Sequence, residues 1–225
     1  MFKSIKTGVL ALILISSAIY AHAQKKIQQG VIVYGIEYNL TPEQKAAVDV
    51  SALPSENKLE FNGNISKLGM EMGPALLTIF KDGSTDNGLL LISIPVAQKQ
   101  FAAKMSKEDM EKQTGGIKYS DFKATGEKQA LSGYNTEKYT YKDNNGGTYE
   151  LWATKEIELT PGAINTEFKE LKATPIKFTV TQGGVKTTLT IKSIKEQNAG
   201  PFTLDVPSGY EVKTMAELEA MRGGA

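Results

Sequence analysis

Alternation of apolar and polar residues with a period of two, interrupted by short turn-forming stretches, runs through the chain from residue 30 onward and commits it to β-structure. From Gly30 to Leu40 the stretch GVIVYGIEYNL puts Ile32, Tyr34, Ile36, Tyr38 and Leu40 on one strand face and Val31 and Val33 on the other. Similar β-rich runs follow at 58–61, 65–72, 76–81, 88–95, 100–105, 122–128, 136–142, 148–155, 175–181, 185–192 and 202–206. About twelve short strands imply a barrel or a strongly curved sheet. Between them, Asp82-Gly83-Ser84, the Asp143–Gly147 stretch DNNGG and Gln182-Gly183-Gly184 tolerate positive φ, so consecutive antiparallel hairpins are expected.

Four short helices are expected to interrupt the strands. Thr41-Pro42-Glu43-Gln44 offers an N-cap hydroxyl, a proline at the first helical position and a glutamine that reaches back to the cap. Ser106 opens KEDMEKQ, which Gly115-Gly116 closes. After Pro161, the spacing of Ile164, Phe168 and Leu171 gives one apolar stripe to lie on the sheet. Thr214 with Glu217 forms a capping box, with Met215 and Leu218 facing inward. No linker, composition shift or fixed-period repeat divides the chain, so residues 24–225 read as one domain.

The N-terminus reads as an address. Lys3 and Lys6 precede an apolar run from Gly8 to Tyr20, and Ala21-His22-Ala23 supplies small residues for signal peptidase, with cleavage expected after Ala23. That run is shorter than the roughly 20 residues needed to span hydrocarbon, so no integral membrane span is expected after processing. There is no cysteine, the one histidine lies in the leader, and the single arginine is Arg222. Disulfides, zinc fingers and cysteine nucleophiles are thereby excluded. An exported chain without cysteine fits a bacterial envelope, periplasmic or secreted. Loss of Lys3 and Lys6 turns the formal charge of +1 into −1 with no basic stripe, which argues against nucleic acid.

The side chains that remain offer little chemistry. Asp82, Ser84 and Asp86 have the first spacings of a calcium loop, but position twelve is Ser93, not a glutamate, so a solvated hairpin turn is the preferred reading and no metal is expected. Glu156 and Glu158 share a strand face, and Glu108, Asp109 and Glu111 crowd a helix start, where dipole compensation accounts for them. Serine activation without histidine would need a Ser-x-x-Lys at a helix start, and residues 24–225 have none there. No catalytic residue and no cofactor is assigned; the chain reads as a non-enzyme. Nine tyrosines, Tyr20 of the leader among them, and Trp152 fit cross-strand packing better than a glycan platform.

The leader ending AHAQ, the first long strand IVYGIEYN, the many hairpins and the closing segment PFTLDVPSGY, with Pro207, Gly209 and Tyr210, resemble the exported, Bacteroidetes-type families grouped with the LolA/LolB lipoprotein-localisation superfamily. That resemblance implies an α+β, mainly β fold: a single curved antiparallel sheet forming an unclosed, LolA-like half-barrel of about eleven strands, with a few short helices over its concave face and an apolar cavity for acyl chains. Carriers of that superfamily close the mouth with an arginine, whereas Arg222 lies beyond Tyr210 in the last helix. The implied function is a soluble binding protein for a lipid or other hydrophobic small molecule. The alternative is a structural or interaction protein of the envelope, with a filled interior and a protein partner. Adaptable methionines and strands apolar on both faces mark Met70, Met72, Leu77, Ile79, Leu91 and Phe101 as the candidate cavity lining. Leu77, Ile79, Leu89 and Leu91 are expected on one face, and Leu76, Phe80, Leu90, Ile92 and Ile94 on the other; a sheet between two dry layers fits the same pattern.

Overall fold

The computed structural model describes residues 24–50, 53–113, 115–164, 166–182 and 185–223. The expected leader, residues 1–23, lies outside them. Among the described residues fourteen strands form: β1 (Lys25–Ile27), β2 (Gln29–Asn39), β3 (Glu56–Asn62), β4 (Ile65–Met72), β5 (Ala75–Asp82), β6 (Gly88–Ile94), β7 (Lys99–Met105), β8 (Tyr119–Leu131), β9 (Tyr134–Asp143), β10 (Thr148–Thr154), β11 (Ile157–Leu159), β12 (Thr174–Gln182), β13 (Val185–Lys195) and β14 (Glu211–Val212). Twelve of them make one curved, unclosed sheet in the order β14-β7-β6-β5-β4-β3-β2-β13-β12-β10-β9-β8, and β1 pairs with β11. β2 to β7 are a meander of antiparallel neighbours, as the turn residues imply. Two pairs depart from that rule: β1–β11 and β14–β7 are parallel.

Three α-helices lie among the described residues: α1 (Pro42–Ala47), α2 (Lys107–Gln113) and α3 (Met215–Gly223). Each begins where its capping residues place it. The Thr41 hydroxyl accepts from the Gln44 amide while the Gln44 side chain accepts from the Thr41 amide. Ser106 with Asp109, and Thr214 with Glu217, repeat that reciprocal pair. The third expected helix, after Pro161, is instead two 3-10 turns, Pro161–Ala163 and Thr166–Phe168. A Cβ on Gly162 would crowd the backbone of Asn64, so this segment is drawn tightly onto the β3–β4 turn. The expected stripe survives the change: Phe168 and Leu171 are buried and Ile164 packs beside them.

The run from β11 to Ala173 acts as a strap across the inner face of the sheet. Phe168 stacks on Tyr119 with ring centroids 5.4 Å apart and meets Tyr141 and Phe178 at 5.8 and 5.0 Å. Tyr34 of β2 joins the cluster through Phe178. The main core is therefore aromatic, and the tyrosines serve packing: burial pushes the Tyr119 hydroxyl up to about 12 and raises Tyr34 and Tyr141 as well.

A second, smaller core lies on the outer face. Leu89, Leu91 and Ala102 are covered there by Phe80, Leu204, Val206 and Tyr210. Residues 202–206 are thus not the expected strand. Their period-two apolar residues lie against a sheet face and not along a sheet edge, and flanking Pro201 and Pro207 lack the amide a ladder needs.

Candidate functional site

Register decides which residues share the inner face of β4 to β7. Met70 pairs with Leu77, Leu77 with Ile92, and Ile92 with Phe101, so these four form one row. The next row is Leu68, Ile79, Leu90 and Ala103, and the one beyond it is Ser66, Lys81, Gly88 and Met105. The expected grouping of Leu77 and Ile79 with Leu89 and Leu91 is therefore corrected. The β5–β6 turn sets the pairing one residue away from that assumption, and a one-residue slip exchanges the two faces of a strand.

Of the six residues marked from sequence, Met70, Leu77, Ile79 and Phe101 come together on this face. Met72 lies on the same face at its far end and is 53% exposed, beside the β4–β5 turn. Leu91 is on the outer face, packed under Leu204 and Val206 within the second core. Leu90 and Ile92, placed on the other face from sequence, take its position.

Burial along this face is graded. Met105 and Ser66 are buried at the end near Lys81; Leu68, Met70, Leu77, Ile79 and Ile92 are half-buried; Met72 is open. The strap that fills the inner face over β8 to β13 meets this half at its buried end, through Pro161–Ala163 at the turns ending β3 and β5 and through Lys169 on Asp86 of the β5–β6 turn. A patch of aliphatic side chains on a sheet face that stays partly exposed among the described residues is a surface suited to an apolar ligand or partner.

At its buried end the face meets a half-open cavity of about 400 Å³. The cavity sits at the seam of the unclosed sheet, where the chain leaves β7, forms α2 and enters β8 at the opposite edge. Lys81, Met110, Ile117, Tyr119, Glu167 and Lys169 are among its lining residues. Gly88 sits tightly here: a Cβ there would lie 2.7 Å from Met105 Cε, 2.9 Å from the Phe80 carbonyl oxygen of β5 and 3.3 Å from Met110 Sδ, so a side chain would press on the backbone of β5 and displace both methionines.

Electrostatics in the cavity are uneven. Lys169 Nζ donates to both carboxylate oxygens of Asp86 at 2.9 Å, and Lys118 lies 4.0 Å from Glu111. Lys81 has no carboxylate within ion-pair distance among the described residues. Burial lowers its pKa, while the more distant charges of Glu167 and Asp86 partly restore it and Lys169 opposes them. Lys81 was not singled out from sequence. The signal was the same alternation, since Leu77, Ile79 and Lys81 are two residues apart on one strand.

Four further acidic groups are engaged in structure. Asp82 Oδ1 accepts from the amide and hydroxyl of Ser84 at 2.8 and 2.6 Å, closing the hairpin turn whose spacing resembles a calcium loop. Glu158 pairs with Lys26, and Glu156 accepts from the Asn135 side chain at 2.6 Å. Ser106 holds the Asp109 carboxyl below its ordinary range. No group of three or more potential metal ligands forms among the described residues, and no described helix is long and apolar enough to cross a membrane. Arg222 falls within α3; its side chain lies outside the described set.

No family model matches the chain, and no curated protein matches its sequence. Among solved structures it is similar to the Mycobacterium tuberculosis lipoprotein LppX, with a TM-score of 0.37 and 11% identity over 79% of this chain and 90% of that one. It is also similar to LprF from Mycobacterium bovis, with a TM-score of 0.34 and 12% identity over 80% of this chain and 90% of that one.

Proposed function

We propose that the protein is a non-enzymatic binding protein of the bacterial envelope, exported by its N-terminal leader with cleavage after Ala23, that holds a lipid or similar amphiphile on the inner face of β4 to β6. The observation that supports this reading is the half-buried row Met70, Leu77 and Ile92, ending on Phe101, which the strap leaves uncovered. Binding would be passive. Covering such a face with hydrocarbon contributes about 25 cal/mol per Å² of apolar surface removed from water, without needing a catalytic group. Met70 adapts to chains of different shape because its side chain is unbranched and soft.

A second reading, an interaction protein of the envelope, is favoured by a different observation. Phe101, one of the expected lining residues, and Leu90 beside it on the inner face are already buried by the chain itself, so part of that face is filled. Mass spectrometry of an organic extract of the protein, purified without detergent from its native envelope, separates the two. A stoichiometric lipid is expected. An empty extract together with no uptake of a fluorescent fatty acid would overturn the carrier reading in favour of a protein partner.

A further inference from the structure

The inner face of β5 is apolar for most of its length and ends in a cation. Leu77 and Ile79 are followed two residues on by Lys81, and at about 3.4 Å per residue the ammonium-bearing position lies about 14 Å along the strand from Leu77. The cavity at the seam begins at Lys81, so the aliphatic rows and the polar cavity share a boundary at this residue. We infer that the seam cavity is the headgroup site of the bound amphiphile, with Lys81 receiving a carboxylate or phosphate while the hydrocarbon lies along Ile79, Leu77 and Met70.

This inference rests on the amphiphile-binding reading above and adds the charge and orientation of the ligand. Three observations carry it. The lysine at the end of the apolar rows has no ion-pair partner among the described residues, whereas its neighbour Lys169 is bound to Asp86 at 2.9 Å. Lys81 is partly removed from water, so an incoming anion meets a cation with less hydration to displace and gains a charge-assisted hydrogen bond. The opening lies between α2, the strap and the start of β8, which gives a headgroup solvent contact while the chain is covered. Glu167 faces the same space and attracts Lys81 from a distance; it competes with an anionic ligand and sets an upper limit on its affinity.

The test compares two probes of equal chain length, dodecanoate and dodecanol, by displacement of a fluorescent fatty acid from the purified full chain. The wild-type protein is expected to prefer the acid by about tenfold, the scale of one charge-assisted contact. Lys81→Met, with Lys81→Gln as the alternative where Met impairs folding, is expected to bring the acid-to-alcohol ratio to about one. Glu167→Gln is expected to raise it. Equal affinity of the wild type for both probes, or a preference that survives loss of Lys81, would overturn the headgroup site while leaving amphiphile binding in place. Failure of both probes to bind would instead overturn the carrier reading on which it rests.

Discussion

The two halves of the sheet share one residue pattern and meet opposite fates. Over β8 to β13 the inner face is closed by the strap, and Phe168 sits among Tyr119, Tyr141 and Phe178 with almost no exposure. Over β4 to β6 the inner face is aliphatic, half-buried and graded toward an open end at Met72. Alternation along a strand specifies that a face is apolar. What crosses that face later in the chain specifies whether it becomes core or binding surface, and here the crossing segment is bulky and aromatic on one half and nearly absent on the other.

Substitutions that act on one half alone test the contrast. The largest effect is expected for Phe168→Ala, which removes the ring at the centre of the filled half and should cost about 3–5 kcal/mol in urea unfolding. Leu91→Ala, in the outer-face core, should cost about 2–4 kcal/mol by the same measurement and leave amphiphile uptake intact. Leu77→Ala should cost about 1–2 kcal/mol, because its side chain is only partly buried, and should weaken fatty-acid uptake. A Leu77→Ala loss as large as that of Phe168→Ala would mean that the aliphatic half is closed in solution and would break the comparison.

A smaller effect concerns acid stability in the filled half. The Tyr149 hydroxyl donates to Asp143 Oδ2 at 2.7 Å, and the amides of Asn145 and Gly147 donate to Oδ1, which holds the carboxyl below its ordinary range. A carboxyl whose folded pKa is depressed adds stability above its unfolded value of about 3.9 and loses it as pH falls through the folded value. Asp143→Asn should therefore lower the melting temperature slightly near neutral pH and narrow its gap to wild type below the carboxylate range. A gap that does not change with pH would show that the bonds matter only as geometry.

The strands and helix starts were readable because their causes are local. Residues 67–72 alternate cleanly, and Thr41, Ser106 and Thr214 carry their caps within three residues. Phe168 and Leu171 were readable as a buried stripe for the same reason. Leu91 was assigned to the inner face because the pairing of β5 with β6 depends on the geometry of the turn at 82–87, which alternation alone does not carry. Residues 202–206 show the same limit: their pattern tells that they cover an apolar face, and only the tertiary arrangement tells that they lie on a sheet, not within it. Lys81 escaped notice because a lysine at a strand end is ordinarily solvated, and its burial comes from α2 and the strap, which are distant in sequence.

The pairing of β2 with β13 has a consequence for how the chain assembles. β2 gains its first neighbour, β3, from residues immediately downstream, but its other edge is met by β13, where Asn39 and Thr188 bond across 149 positions. Closing so long a loop is entropically costly and slow compared with the local hairpins from β3 to β7. Until that joint forms, the meander and the β8–β10 hairpins are separate pieces with an open strand edge between them, vulnerable to pairing with another chain. Synthesis from the N-terminus delivers β2 early and β13 nearly last, so the interval between the two is the period in which this fold depends most on being kept apart from its neighbours.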